Sequence, residues 1–228
     1  MSLLDVKAVL FDFGGTIDTD GVHWSEKFWE HYQKFNLNVQ KADFERAFVK
    51  ADEQLMGEQL SHDSFKDILD KQLSAQFAIL GLDRSMVRSM GESCYEDVVR
   101  TIGRAKTILL ELASTLALGV VSNFYGNLEK VLREFGMDSL FSTFVDSAVV
   151  GVRKPDPRIF QMALTSLGVL PAKTIVVGDS YERDIVPSRL IGCKTIWLRG
   201  KSWITPVETK AADFIVTRFE DIRSIILG

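Results

Sequence analysis

Cysteine is scarce in this chain, with two among 228 residues. Cys94 and Cys193 lie far apart and form neither a CxxC pair nor a metal-ligand spacing. That excludes a disulfide scaffold and a thiolate metal centre, and it suits a reducing compartment. The three histidines, His23, His31 and His62, show no ligand spacing either. Positive charge is not in excess: 27 Lys and Arg stand against 31 Asp and Glu, a net charge of −4. The electrostatic footprint of a nucleic-acid binder is therefore missing, although a small anionic ligand depends on local charge and stays open. No apolar run reaches the roughly 18 residues of a transmembrane helix, so no membrane partner is expected. Asp5 and Lys7 interrupt the apolar N-terminal stretch and break any signal-peptide core. Together these absences lead to the expectation of a cytoplasmic, soluble protein. No GxGxxG follows a strand-like run and no GxxxxGK[ST] occurs, which argues against a dinucleotide cofactor and a P-loop. Internal repeats and low-complexity segments are also missing.

What is present is an ordinary globular composition, 46% hydrophobic and 25% charged. The length suits one large domain, or a core with an insertion, at about 150 residues per domain. Short β-branched runs at residues 6–12, 118–122, 143–149, 174–179, 194–198 and 213–216 alternate with helical patterns, which predicts an α/β fold with a doubly wound parallel sheet. A last helix is expected over residues 220–227. Between residues 21 and 103 the β-branched runs stop. Apolar residues recur there at helical spacing, beginning with Trp24, Phe28, Trp29, Tyr32 and Phe35. Some 80 residues are too many for a loop. The expected organisation is an α/β core at 1–19 and 104–228, with a helical insertion at 20–103 that has its own small core. Linkers are expected near residues 19–21 and 102–104.

Ligands of open α/β sheets bind beyond the carboxyl ends of the strands, so the residues that end each strand matter most. The first strand ends in Asp12-Phe13-Gly14-Gly15-Thr16 and the second in Ser122-Asn123. The fourth ends in Gly178-Asp179-Ser180, with Asp184 close behind, and Arg153-Lys154-Pro155-Asp156-Pro157 precedes it. Asp12 and Asp179 offer the hard oxygen ligands that Mg2+ prefers, and the Gly14 carbonyl offers a third. The metal offsets the repulsion between an attacking carboxylate and an anionic phosphate. Lys154 adds a fixed positive charge and Ser122 a donor for a phosphate oxygen. Asp12 then suits a nucleophile that forms an aspartyl-phosphate. Gly14 and Gly15 allow a tight turn beside the ligand. Each residue taken alone has a plainer reading: Asp184 as a helix N-cap, Asp156 as an N-cap before Pro157, Lys154 as a solvated lysine, Ser122 and Asn123 as turn residues. The weight lies in their combination and order.

That combination resembles the haloacid dehalogenase superfamily of hydrolases, which are mostly phosphatases. The family's four motifs match Asp12-Phe13-Gly14-Gly15-Thr16, Ser122-Asn123, Lys154-Pro155-Asp156 and Gly178-Asp179-Ser180-Tyr181-Glu182-Arg183-Asp184. The resemblance spans almost the whole chain and implies a Rossmann-like core with a helical cap inserted after the first strand. It implies Asp12 as nucleophile, with Asp12, the Gly14 carbonyl and Asp179 on magnesium and Asp184 in support. Ser122 and Lys154 are implied to hold the phosphate, and Asn123 and Gly15 are expected beside it. The implied partner is a small phosphorylated metabolite. One departure stands out. Family phosphatases carry a second aspartate, the general acid and base, where this chain has Gly14. Three readings follow: a magnesium-dependent phosphatase without that acid, or borrowing a carboxylate from Asp18, Asp20 or the cap; a dehalogenase- or phosphonatase-type hydrolase; and a slow or non-catalytic phosphate-binding regulatory module. The dehalogenase variant sits poorly with the retained Asp179. The phosphonatase variant needs a cap lysine, and Met56-Gly57-Glu58-Gln59-Leu60 carries leucine at that place, leaving Lys41, Lys50 and Lys66. His23, next to the expected cap junction, is a candidate for substrate contact. The aromatic stripe from Trp24 is expected to be cap interior, and the basic loop between Trp197 and Trp203 to be solvated.

Overall fold

The computed structural model describes residues 5–58, 60–203 and 209–228. Gln59, inside the segment compared with the phosphonatase motif, lies outside them. Six parallel strands form one sheet in the order β3-β2-β1-β4-β5-β6: β1 is Ala8–Phe11, β2 Ala117–Ser122, β3 Thr143–Asp146, β4 Thr174–Gly178, β5 Lys194–Leu198 and β6 Phe214–Val216. β1 and β4 are buried at every position, the pattern of parallel strands covered on both faces. β1 pairs with β2 on one side and β4 on the other, with Phe11 opposite Val120 and Val177. The strand order reverses around β1, so the crevice at its carboxyl end is the place where such sheets bind ligands.

Four helices stand between β1 and β2: α1 Trp24–Lys34, α2 Lys41–Met56, α3 Phe65–Leu80 and α4 Val87–Ala113. Ser64 and Asp67 close a reciprocal capping box at the start of α3, and Gly81, at φ 65°, ends it. The linker expected at residues 102–104 is not there. α4 runs unbroken for 27 residues, because Val98, Ile102, Ala105, Leu109 and Leu112 continue one buried stripe past that point. Gly103 looks into open space and breaks nothing. Of the separate core expected for the insertion, a small cluster of Leu55, Leu60 and Ile68 stands apart, while most of its apolar residues join a core continuous with the sheet's. One apolar cluster runs from Val9 and Phe11 through Phe13 to Phe65, Phe28 and Phe77. Phe13, just after β1, bridges the layers by edge contacts at 6.0 Å to Phe65 and 5.6 Å to Phe124.

The remaining helices flank the sheet: α5 Leu128–Glu134, α6 Ser147–Val150, α7 Arg158–Leu167, α8 Val186–Leu190 and α9 Asp221–Leu227. The insertion lies over the carboxyl ends of the strands and is tied down by polar contacts. Tyr125 donates its hydroxyl to Asp52 at 2.7 Å, Asn127 donates to the Asp63 carbonyl at 2.9 Å, and Glu134 accepts from the Phe65 amide at 3.0 Å. No helix of the described residues is long and apolar enough to cross a membrane. Both cysteines are free and buried.

Candidate active site

The ends of β1, β2 and β4 bring the expected residues together. Asp12 follows β1, and its amide still bonds to the Val177 carbonyl of β4 at 2.9 Å. Its Oδ1 accepts from the Ser122 hydroxyl at 2.8 Å and the Lys154 ammonium at 2.7 Å, across 110 and 142 positions of chain. The same ammonium reaches Asp184 Oδ1 at 2.6 Å. Burial alone would lower the affinity of Lys154 for its proton, but the charges of Asp12 and Asp184 override that and hold it protonated above the usual lysine range. Lys154 is fixed from its backbone: the Asn123 amide accepts from the Lys154 N–H at 2.8 Å and donates to its carbonyl at 3.0 Å. The Asn123 side chain is thus spent on positioning Lys154, while the residue itself lines the cavity beside Asp12.

Gly15 also corrects an expectation. Its amide donates to Asp18 Oδ1 at 2.7 Å and is not turned to a phosphate. Its own need is room: a Cβ there would lie 2.5 Å from Asp179 Oδ2, and φ is +96°. Gly15 thus lets the Asp179 carboxylate press against the backbone. Thr16 completes the clamp, accepting from the Asp179 amide at 3.0 Å and donating to its Oδ1 at 3.2 Å. The Trp197 indole holds the Asp179 carbonyl at 2.8 Å.

Asp12, Asp179 and Asp184 offer oxygens that all lie within 4.8 Å of one another. Ionised carboxylates at that distance repel by about 3 kcal/mol per pair at an effective dielectric of about 20, and one ammonium offsets only part of it. Burial, with the charges of Asp12 and Asp184, pushes Asp179 well above the usual carboxylate range, and burial pushes Asp184 up to about 6. Hard oxygens, crowded and under-compensated, are the donor set for a divalent cation such as magnesium.

Gly14 lines the cavity with ordinary backbone angles, φ −74° and ψ 116°. The Trp24 indole stands beside it, 3.7 Å from where a Cβ would sit. Trp24 is held there by Asp18, whose Oδ2 accepts from its Nε1 at 2.8 Å. Asp18 also accepts from Gly15 and Thr19, is fully buried, and does not line the cavity. Burial pushes its carboxyl up to about 7. Asp20 spends its carboxylate on the Phe219 amide at 2.6 Å. Of the carboxylates considered for the missing acid, those that reach the cavity come from one face of α2: Glu45, Asp52 and Glu53.

The cavity above the strand ends encloses about 830 Å³. Two of the five stripe aromatics expected as cap interior, Trp24 and Phe28, also line it, as do Arg199 and Trp203 of the loop expected to be solvated. His23 lines it too. Its Nδ1 accepts from the Ser25 amide at 3.2 Å, which caps α1, and burial lowers its pKa to about 4. His31 is buried in the insertion, and His62 offers its carbonyl to Lys130. None of Lys41, Lys50 and Lys66 reaches the cavity; Lys41 pairs with Glu26 and Lys66 with Asp70. Asp156 accepts from the Arg158 amide at the start of α7, its expected capping role. Sequence reasoning quoted Thr16 without seeing its clamp, and it missed the tie between Tyr125 and Asp52. Thr16 was legible as the last residue of its motif; the tie had no signal, since 73 positions separate its partners.

Comparison with known proteins bears on the same residues. The family model of haloacid dehalogenase-like hydrolases matches residues 6–190. A phosphoserine phosphatase from Thermus thermophilus is 35% identical over 115 residues, 50% of this chain and 44% of that protein. A glyceraldehyde 3-phosphate phosphatase from Methanothermobacter thermautotrophicus is 28% identical over 204 residues, 84% of each chain. The chain spans about half the length of the first curated relatives it matches. Among solved structures, YfnB from Bacillus subtilis, bound to magnesium, aligns over 97% of this chain and 98% of its own, with TM-score 0.61 and 19% identity. A dehalogenase aligns over 98% of both chains, with TM-score 0.66 and 18% identity. At such identities the structural likeness is one of fold.

Proposed function

Because the chain belongs to the haloacid dehalogenase-like hydrolases, we propose that it is a magnesium-dependent phosphatase of small phosphate esters that works through an aspartyl-phosphate on Asp12. The observation that carries this is the joint grip of Ser122 and Lys154 on Asp12 Oδ1, at 2.8 and 2.7 Å, beside the crowded pair Asp179 and Asp184. Both donors sit on one oxygen, which leaves Oδ2 of the same carboxylate for attack. The phosphatase names of the relatives point the same way.

The residues that would hold magnesium are Asp12, the Gly14 carbonyl and Asp179, with Asp184 in support. The ion supplies charge compensation for a phosphate brought against a carboxylate. Asp12 attacks phosphorus in line with the ester oxygen as the phosphorus–ester oxygen bond breaks and that oxygen leaves with the electron pair, and Ser122 and Lys154 stabilise the negative charge spread over the transferring group. Water then attacks phosphorus and the acyl-phosphate bond breaks, which restores Asp12; one proton of that water ends on the departed oxygen and the other stays on the phosphate. Residues 20–103 act as a cap whose closure excludes bulk water. Retention of Asp179 weighs against a metal-free dehalogenase. Among the described residues Lys154 is the only lysine that lines the cavity, which weighs against a Schiff-base phosphonatase.

The test is phosphate release from acetyl phosphate, whose acetate leaves without a proton. Wild type should turn it over with Mg2+ and lose activity in chelator. Asp12→Asn should lose about 10³-fold or more, as removal of a nucleophile does. Activity unchanged in Asp12→Asn would sink the assignment. Tight binding of magnesium with no turnover would favour the regulatory module instead.

A further inference from the structure

Rings recur along one side of the cavity, among aliphatic and polar side chains such as Met56, Leu69 and Gln72. Phe65, Trp24, Phe28, Phe48, Trp203 and His23 all line it. They touch in sequence, with ring centroids 5.9 Å apart from Phe65 to Trp24, 5.1 Å from Trp24 to Phe28, 6.2 Å from Phe28 to Phe48 and 5.5 Å from Phe48 to Trp203. His23 closes the far end, 6.1 Å from Phe48 and 5.9 Å from Trp203. The wall begins at the residue where a proton donor is missing, because the Trp24 indole is the nearest side chain to Gly14. Two independent features, the absent acid and the ring wall, thus meet at the place a leaving group must occupy.

We infer that the leaving group this cavity accepts is an aryl ring, so that the substrates are aryl phosphate monoesters. This rests on the phosphatase reading above and narrows it. In the first step a bond forms between Asp12 Oδ2 and phosphorus as the phosphorus–aryl oxygen bond breaks, and the electron pair leaves on oxygen as a phenolate. In the second step water attacks phosphorus and the acyl-phosphate bond breaks. One proton of that water ends on the phenolate and the other stays on the phosphate. A phenol has a pKa of about 10, as tyrosine does. An aliphatic alcohol is far less acidic, close to water itself. The phenolate can therefore leave unprotonated where an alkoxide needs the acid that Gly14 cannot supply.

The wall selects in the same direction. Flat rings pack against rings in offset or edge-on geometry and gain from it beyond area alone. A sugar or glycerol leaving group offers no flat ring to those side chains and forgoes this gain. Both signs of charge line the cavity, Glu45, Asp52 and Glu53 on α2 and Arg153, Arg183 and Arg199 elsewhere, so charge alone does not choose the leaving group. Asp52 is already tied to Tyr125. An aryl group with its phosphate at the strand ends meets both conditions, a leaving oxygen that needs no proton and a flat ring to pack.

The experiment compares kcat/KM for phenyl phosphate, cyclohexyl phosphate, glycerol 3-phosphate and acetyl phosphate, with Mg2+. Phenyl and cyclohexyl phosphate match in size and differ in leaving-group basicity; acetyl phosphate needs no proton and is too small to cover the wall. Phenyl phosphate should exceed cyclohexyl phosphate by about 100-fold, within the span of a missing general acid. Glycerol 3-phosphate should be slower still. Trp203→Ala and Phe48→Leu should each lower the phenyl-to-acetyl ratio about tenfold, chiefly through KM. Acetyl phosphate turned over with cyclohexyl or glycerol phosphate equal to phenyl phosphate would overturn the inference and leave the phosphatase reading standing. An unchanged phenyl-to-acetyl ratio in both variants would overturn it as well. No turnover of any of the four would overturn the phosphatase reading, and the inference with it.

Discussion

On the sheet side of the cavity the Asp12, Lys154, Asp179 and Asp184 side chains meet partners at 2.6 to 3.2 Å. On the helical side the rings sit 5 to 6 Å apart between centroids, in tilted and edge contacts. The sheet side also depends on backbone approach that a single methyl would spoil: a Cβ at Gly15 or Gly178 would come within 2.5 or 2.4 Å of the Asp179 or Asp184 carboxylate. Close polar contacts are directional and short-ranged, so the side that carries them tolerates almost no change. Ring contacts are broad and forgiving, so the other side can change shape without losing the fold. Chemistry belongs on the first kind of surface and choice of leaving group on the second.

The comparison is broken most severely at Gly15, and its neighbour Gly14 serves as the control. Gly15→Ala drives a methyl into Asp179 and strains a left-handed backbone, and it should cost about 100-fold or more in kcat and weaken Mg2+ binding by calorimetry. Gly14→Ala makes only ordinary van der Waals contact with Trp24, at ordinary angles, and should stay within a few-fold. Equal losses in the two variants would show that the crowding around Asp179 does not govern the site. A smaller effect is expected from Gly14→Asp, whose Cβ fits beside Trp24. Restoring a carboxyl there should raise turnover of cyclohexyl phosphate about tenfold or more while leaving phenyl phosphate within a few-fold, measured as phosphate release. A gain equal for both esters would mean that the added carboxyl does not act as a proton donor.

The smallest effect separates the capping role of His23 from its place in the ring wall. Folded His23 titrates near pH 4, whereas in the unfolded chain it titrates near 6.5. Between those values the unfolded chain binds a proton that the folded chain refuses, so stability falls as pH is lowered through that window, by at most about 3 kcal/mol. Asn at the same N-cap keeps an acceptor for the Ser25 amide and removes the titration. His23→Asn should therefore flatten the decline in thermal midpoint between pH 6.5 and 4. Asp18, pushed up to about 7, acts with the opposite sign, gaining stability as pH falls below 7, and cancels in the difference between variant and wild type. Parallel pH profiles would show that His23 is not held neutral by burial.

Much of the sheet side was readable in advance. Strand ends are marked by local apolar runs; Asp12 and Asp179 sit one place beyond a strand and Ser122 ends one, so topology alone carries all three to one edge. Gly15 was misplaced for a local reason: it stands where a phosphate contact is expected, but its amide is taken by Asp18. The helical side was legible as helices and opaque as a surface. Periodicity shows that Trp24, Phe28 and Trp29 face inward, yet inward means either core or cavity. The expected break at residues 102–104 failed because a helix ends where its buried stripe ends, and that depends on what lies beneath it.

The order and chemistry of the strand ends, the parallel α/β class and the missing side chain at Gly14 were determined by the amino-acid string, since all of them follow from local pattern and identity. Tertiary structure alone decided that Lys154 bridges Asp12 and Asp184, that Asp18 is locked behind Trp24, and that six rings from Phe65 to Trp203 form one wall. The physical reason is range. Propensity and periodicity act over a few residues, whereas those contacts join groups that only the packing of helices over the sheet brings within a few ångströms.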